Sequence, residues 1–295
     1  VTEACEYKAS FLKFFPYIGI ILNIDADHLD YYRDINHIED TFKKFSDLIP
    51  SDGYLVGCAE DSRVEEVLKY AKCNTISYGF TKGDVTATNI SFNNKGCASF
   101  TVCKNGKSLF DVTLNTTGKH NILNALSAIC TSLILNIPTE AIIEGLANCK
   151  GAHKRFEFKG EFKGATIIDD YAHHPTAIKY VIEATRVRYP GKKIVAVFKP
   201  DRFSRGARFA VEFARAMDLA DYPYFCPFPE NAVKEEGIDI DIYDIAKNLP
   251  RAKVINEDQE AAKELAQYDD VVFLFMSSKD IYKLEEKVIA IKNSI

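Results

Sequence analysis

Short apolar runs of five to eight residues alternate with longer helical patterns through almost the whole chain. Ile18 to Ile24 has the continuous apolar character of a buried strand, and Ile38 to Leu48 carries apolar residues at helical spacing. Gly53 to Cys58, Val64 to Tyr70 and Thr75 to Tyr78 continue the series as strand, helix and strand. This βαβα order requires a mainly parallel sheet covered by helices. Between Asp84 and Leu114 the pattern changes. Val85 to Ile90, Ala98 to Cys103 and Ser108 to Leu114 are strand-like with no helix between them. Asn93 to Gly96 and Lys104 to Lys107 supply turns, the second with the Asn-Gly hairpin signal. A small antiparallel sheet attached to the parallel one is expected. Helices over Asn121 to Leu135 and Thr139 to Ala147 follow, Pro138 marking a helix start.

From Lys150 to Arg155 the chain turns polar, and a second α/β series begins. Strands are expected at Ala165 to Ile168, Ile194 to Phe198, Tyr222 to Cys226, Lys253 to Ile255 and Val271 to Phe275. Helices are expected over Thr176 to Tyr189, Arg205 to Met217, Ile242 to Leu249, Gln259 to Ala266 and Ile281 to Lys292. At 295 residues the chain has room for about two domains, and we place them at 1–152 and 153–295.

Lys and Arg total 37 against 42 Asp and Glu, a formal charge of −5. That balance excludes bulk attraction to nucleic acid or an anionic membrane. The longest apolar run, Phe14 to Ile24, is broken by Pro16 and Asn23 and falls well short of the ~20 residues of a membrane span. No signal peptide is visible, and the first residue is Val1 rather than Met, so a start further upstream is expected. Eight cysteines are scattered without C-x-x-C or zinc-finger spacing. They read as reduced, mostly buried thiols of a cytoplasmic protein.

Polar clusters follow several strands, where open α/β sheets bind ligands. The first is Asn23 to Asp30, whose acids and His28 could ligate a divalent ion. Caps on the next helix are the plainer and preferred explanation. The second, Ile168 to Thr176, offers Asp169, Asp170, Tyr171, His173 and His174, the usual tools of proton handling near neutral pH. So many capable residues at one strand end favour a site over a helix cap with a satisfied histidine pair. The third, Lys199 to Arg205, sets Arg202 and Arg205 at a helix start, suited to a carboxylate or phosphate. A solvated basic turn explains them equally well. In the fourth, Thr117 to Ala125, His120 and Asn124 share a helix face or simply open an ordinary helix. Lys104 to Ser108 ends like a P-loop but has Thr101 where the motif needs Gly, and no complete P-loop occurs in the chain.

Taken in order, these clusters resemble the Mur ligases of peptidoglycan synthesis. The resemblance is carried by Glu3 to Tyr7 with Ser10 to Leu12, Asn23 to Tyr32, Gly118 to Ala125, Arg155-Phe156, Asp169 to Thr176 and Pro200 to Arg205. The Asn23 to Tyr32 stretch looks like the alanine-adding branch, and the branch that recycles murein tripeptide shares the His-His-Pro cluster. The resemblance implies the latter part of a central ATPase domain followed by a complete Rossmann-like domain, without the family's N-terminal UDP-binding domain or P-loop. It implies ATP and Mg2+ as cofactors and UDP-N-acetylmuramate and L-alanine as substrates, joined through an acyl phosphate. Glu3 and His28 would hold magnesium, and His120 and Asn124 the adenine. Arg155 and Asp170 would face the nucleotide from the domain interface. Tyr171, His173, Arg202 and Arg205 would orient the muramoyl substrate.

The chain departs from that pattern at Cys5, where the family has Asp, and at Asp201, where it usually has His. Ser277-Ser278-Lys279-Asp280 replaces Gly-Ala-Gly-Asp, and Pro227 to Glu230 lacks the usual Tyr and Glu. Asp201 near Arg202 would neutralise an anion site, and Lys279 would crowd a close backbone approach. These residues leave two expectations. One is an ATP-dependent ligase of which this chain is an inactive portion. The other is a naturally shortened, non-catalytic binding or regulatory protein.

Overall fold

The computed structural model describes residues 1–230 and 237–294. They fall into two compact units, Val1–Lys150 and Gly151–Ile295. Both are α/β, as the apolar pattern requires.

The first unit opens with a 3-10 segment, Tyr7–Lys13, followed by β1 (Ile18–Ile21), α1 (Ile35–Ser46), β2 (Tyr54–Cys58), α2 (Ser62–Tyr70) and β3 (Asn74–Gly79). β4 (Val85–Phe92), β5 (Cys97–Lys104) and β6 (Lys107–Thr117) come next, then α3 (His120–Ile134) and α4 (Thr139–Asn148). The strands form one sheet in the order β1-β2-β3-β4-β5-β6. The expected small antiparallel sheet is its continuous far half. β4 joins parallel to β3 through Tyr78 and Val85, and β5 and β6 then run antiparallel. Alternation along β2 sends Leu55 to one core, with Val64 and Val67 of α2, and Val56 to the other, with Ile122 and Leu126 of α3. The β5–β6 turn is Asn105-Gly106, with φ of 49° and 76°. Both central residues are left-handed, as a two-residue hairpin of this hand requires, and Lys104 pairs with Lys107.

The second unit contains β7 (Glu157–Phe162), β8 (Ala165–Asp170), α5 (Pro175–Arg188), β9 (Lys193–Phe198), α6 (Phe203–Arg208), α7 (Ala210–Met217) and β10 (Tyr222–Phe225). α8 (Ile242–Ala246), β11 (Lys253–Val254), α9 (Gln259–Ala266), β12 (Val271–Met276) and α10 (Tyr282–Ser294) complete it. Its sheet runs β11-β10-β9-β12-β8-β7, with β7 antiparallel to β8 and the other pairs parallel. Helices α5, α7 and α8 cover one face, and α9 and α10 the other. Chains leaving β8 and β9 pass to one face while the chain leaving β12 passes to the other. This divergence opens a crevice at the carboxyl ends of β8, β12 and β9.

Three expectations need correction. β1 ends at Ile21, before the apolar run does. β7 had no strand signal, because its Glu-Phe-Lys-Gly-Glu-Phe sequence belongs to a mostly exposed edge strand with a register shift at Gly160. The single helix expected over Arg205 to Met217 is two, broken at Phe209, whose φ and ψ of −114° and 24° lie outside the helical well. Among the described residues, no helix is long and apolar enough to cross a membrane. All eight cysteines are free thiols, Cys58, Cys97, Cys103, Cys130 and Cys226 buried.

Candidate functional site

In the first unit, the loop after β1 is shaped by its own acids. Asp25 accepts the Ala26 N–H at 2.8 Å, and Asp27 that of His28 at 2.7 Å. Asp61, the N-cap of α2, accepts from Arg63 and Val64 and, through its other oxygen, from Ile24 at 3.0 Å. The acids of Asn23 to Asp30 do not cap α1, contrary to expectation. Asp34 does, accepting from His37 N–H at 2.8 Å. The helix starts at Ile35, three residues before its apolar spacing begins but well after these acids, so the cap falls to the residue just before it.

His28 sits in this loop with φ of 53°, a left-handed conformation that side chains with a Cβ seldom adopt. Its Nε2 lies 3.2 Å from Glu6 Oε1, and its ring 5.0 Å from that of Tyr7. Hydrogen bonding to His28 holds the Glu6 carboxyl below its ordinary range. The carboxylate beside His28 is thus Glu6, and Glu3 is exposed. Both stand in the Glu3 to Tyr7 stretch, and nothing in the sequence separates them. His28 Nδ1 is buried without a hydrogen bond. An imidazole bonded to a carboxylate through one nitrogen and bare at the other has the arrangement of a metal-ligating histidine, so these residues fit a divalent ion. Among the described residues, no group of three or more His, Cys, Asp or Glu is arranged to hold a metal without further ligands.

His120 begins α3, half-buried, and Asn124 is exposed one turn on. Asn124 donates to Asn121 Oδ1 at 3.1 Å, and Asn121 to the Thr117 carbonyl at 2.8 Å. The Lys119 ammonium lies 4.5 Å from the centre of the Phe80 ring.

In the second unit, Tyr171 and His173 follow β8, and Arg202 and Arg205 follow β9. Asp170 ends β8, and its two oxygens accept the N–H groups of Phe156 and Ala172, both at 2.7 Å. Burial nevertheless pushes its pKa up to about 6. The Arg155 guanidinium lies 5.2 Å from the centre of the Tyr171 ring. The Tyr171 carbonyl is 2.8 Å from His173 Nδ1, and the two rings meet edge to face at 5.0 Å. His174 caps α5 through the Thr176 N–H, with Pro175 at the first helical position.

At the end of β9, Asp201 pairs with Arg205 at 2.6 Å, both nearly inaccessible. Arg202 stands at the N-cap of α6. Arg205 lies one helical turn beyond Asp201, close enough for its fork to reach back. Burial acts to raise the Asp201 carboxyl, but the Arg205 guanidinium holds it below the usual carboxylate range. Ser278, after β12, donates to the other Asp201 oxygen at 3.0 Å. Two of the departures, Asp201 and the Ser277 to Asp280 stretch, are therefore bonded to each other. Lys279 is exposed. Phe228 of the Pro227 to Glu230 departure stacks on Phe203 at 4.5 Å, where a Cβ on Gly206 would come within 2.5 Å of its ring.

Lys199 opens the third cluster without an assigned role in the sequence reading, yet it is buried at this edge. Its ammonium bonds Glu257, beyond β11, and Asp280 at 2.7 Å. Burial opposes the charge, but the two carboxylates raise its pKa and Lys199 lowers that of Asp280.

The Mur ligase middle domain model matches residues 1–132, and the Mur ligase, glutamate ligase domain model matches residues 154–278. The chain belongs to the Mur ligase family. Within it, the chain is 50% identical over 293 residues to a protein of Clostridium botulinum (strain Alaska E43 / Type E3) named UDP-N-acetylmuramate–L-alanine ligase. That match covers 97% of this chain and 63% of that protein. A Clostridium beijerinckii protein of the same name is 59% identical over 222 residues, covering 75% of this chain and 48% of its own. The solved UDP-N-acetylmuramate-alanine ligase MurC of Thermotoga maritima superposes with a TM-score of 0.76 at 27% identity, over 97% of this chain and 62% of that one. The MurF ligase of Thermotoga maritima in complex with ADP shares the fold, with a TM-score of 0.76 at 22% identity, over 97% and 65%. The chain therefore spans less than two thirds of the length of these Mur ligases.

Proposed function

We propose that the protein containing this chain is an ATP-dependent carbon–nitrogen ligase of the cytoplasm that joins L-alanine to UDP-N-acetylmuramate in peptidoglycan synthesis. The 50% identity over 293 residues to proteins of that name carries the reading. Under it, residues 1–152 are part of the ATP-binding domain and 153–295 the Rossmann-like ligase domain. The muramoyl carboxylate attacks the γ-phosphorus of ATP and ADP leaves. The deprotonated alanine amine then attacks the acyl carbon and phosphate leaves. Charge stabilisation and positioning supply most of the rate in such transfers.

His120 and Asn124 are assigned to the adenine, and Arg155 and Asp170 to the nucleotide. Glu3 and His28 would hold Mg2+, which when bound neutralises phosphate charge, and Glu6 orients the His28 ring. Tyr171, His173, Arg202 and Arg205 are assigned to the muramoyl substrate. Arg205, already paired with Asp201, shapes the site as well as charging it. This chain alone, at 63% of the relatives' length, is expected to be inactive.

The test is ADP release by the intact protein supplied with ATP, UDP-N-acetylmuramate and L-alanine, run beside murein tripeptide as the alternative acceptor. Release with L-alanine alone supports the reading. Release only with the tripeptide moves the protein to the recycling branch. No release with either, with nucleotide still bound, favours a non-catalytic binding protein.

A further inference from the structure

Ser278, Lys279 and Asp280, between β12 and α10, line a pocket of about 320 Å3 with Lys154, Pro229 and Tyr282. We propose that Lys199 and Asp201 form a two-point latch that fixes this loop, and that Lys199 is a positioning residue for the ligand the pocket takes. The ligand clause rests on the ligase reading.

The loop's links run mainly to the end of β9. Ser277 Oγ donates to the Lys199 carbonyl at 2.9 Å, Ser278 Oγ to Asp201 Oδ2 at 3.0 Å, and Asp280 accepts from the Lys199 ammonium at 2.7 Å. Lys199 also donates its N–H to the Met276 carbonyl at 3.1 Å, and Ser277 donates its own to the Asp170 carbonyl at 3.1 Å. Lys199 and Asp201 flank Pro200, whose ring fixes one backbone angle between them. Glu257 anchors the Lys199 ammonium from beyond β11, and Lys287 donates to the Glu257 carbonyl at 2.5 Å. The ammonium is therefore tied to both sides of the parallel sheet's carboxyl edge. Lys199 is 4% exposed, against 23% for the Glu257 side chain and 37% for that of Asp280, so its two carboxylate bonds are screened less than pairs with both ends in water. Apolar packing plays little part at Ser278 to Asp280, where the shape of the loop follows from these polar links. A pocket of this size suits a molecule as small as L-alanine, near the lower limit of ligand cavities.

Hydrogen exchange on this chain and kinetics on the intact protein test the latch together. In Lys199→Met, the amides of 278–282 should exchange about tenfold faster or more, while those in the centres of β9 and β12 stay within roughly threefold. Ser278→Ala, which leaves the ion pairs intact, should accelerate the same amides by roughly threefold and keeps the test usable if Lys199→Met does not fold. In the intact protein, Lys199→Met should raise KM for L-alanine about tenfold, with kcat and KM for ATP within roughly threefold. Unchanged exchange at 278–282 in both variants, or acceleration spread evenly over the unit, overturns the latch. Faster local exchange with unchanged KM for L-alanine overturns the positioning role. An intact wild-type protein that makes no amide refutes the ligase reading instead, and exchange alone then decides the latch.

Discussion

The polar residues after β1 and those after β9 occupy equivalent places, just beyond the carboxyl end of a parallel strand, yet they are held in opposite ways. After β1, short acidic side chains accept backbone N–H groups of their own loop, and His28 meets a Glu6 whose side chain is 41% exposed. After β9, Lys199, Asp201 and Arg205 are almost wholly buried and bonded to other charged side chains. Exposed acids can trade their partners for water at little cost. Buried charges cannot, so removing one partner strands the other. The first loop should tolerate substitution and the second should not.

That contrast breaks most directly at Arg205. Arg205→Ala leaves Asp201 buried beside Ser278 and should destabilise the second unit by about 3–5 kcal/mol. Urea unfolding followed by a probe in each unit measures this, since a two-unit chain need not unfold in one step. A loss under about 1 kcal/mol would mean that the pair behaves like a surface contact.

Next in size is a pH effect confined to the second unit. Glu285 of α10 is buried, and burial, with Asp169 of β8 nearby, pushes its pKa up to about 7. Asp169 is itself raised by burial, and neither residue has a hydrogen bond on its buried oxygen. Glu157 and Lys159 of β7 and Glu286 also act on Glu285. A carboxyl raised in the folded state binds its proton more tightly there than when unfolded. Its stabilisation is complete below about pH 4.5 and is lost as pH rises through about 7. Glu285→Gln should therefore flatten the pH dependence of the second unit and exceed wild-type stability at pH 8 by on the order of 2 kcal/mol. Parallel pH profiles of the two proteins would refute this. In the first unit, Asp34, Glu39 and Asp47 shift downward through hydrogen bonds to His37, Lys43 and Lys72, so their small contributions grow with pH instead.

Smaller effects sharpen the other side of the comparison. Asp61→Ala removes both the cap of α2 and the tie to Ile24, and should cost the first unit about 1 kcal/mol, read from its urea midpoint. Glu6→Gln should cost a few tenths of a kcal/mol, because Glu6 is half-exposed. If Glu6→Gln proved as costly as Arg205→Ala, the two strand ends would be equally dependent on charge and the contrast would fail.

The features legible in the sequence were those whose physics is local. The Asn105-Gly106 hairpin was readable because adjacent residues must both adopt positive φ, and the parallel sheets because apolar runs of strand length alternate with helical spacing. β7 was not, since an exposed antiparallel edge needs no apolar run. The break at Phe209 was hidden because apolar spacing continues across it. Tyr171, His173, Arg202 and Arg205 could be named as candidates because they cluster in two short stretches, each directly after an apolar strand.

The partners of those residues are a different matter. Lys199 meets Glu257 and Asp280 across 58 and 81 residues of chain, and Asp201 meets Ser278 across 77. No pattern along the sequence specifies such pairs, because they arise only when β9, β11 and β12 are laid into one sheet. The sequence by itself determined two α/β halves and where chemistry could reside, since periodicity and turn propensity act over a few residues. The tertiary structure decided which charges neutralise one another, because that depends on strand order and burial, and both are set by packing across the whole unit.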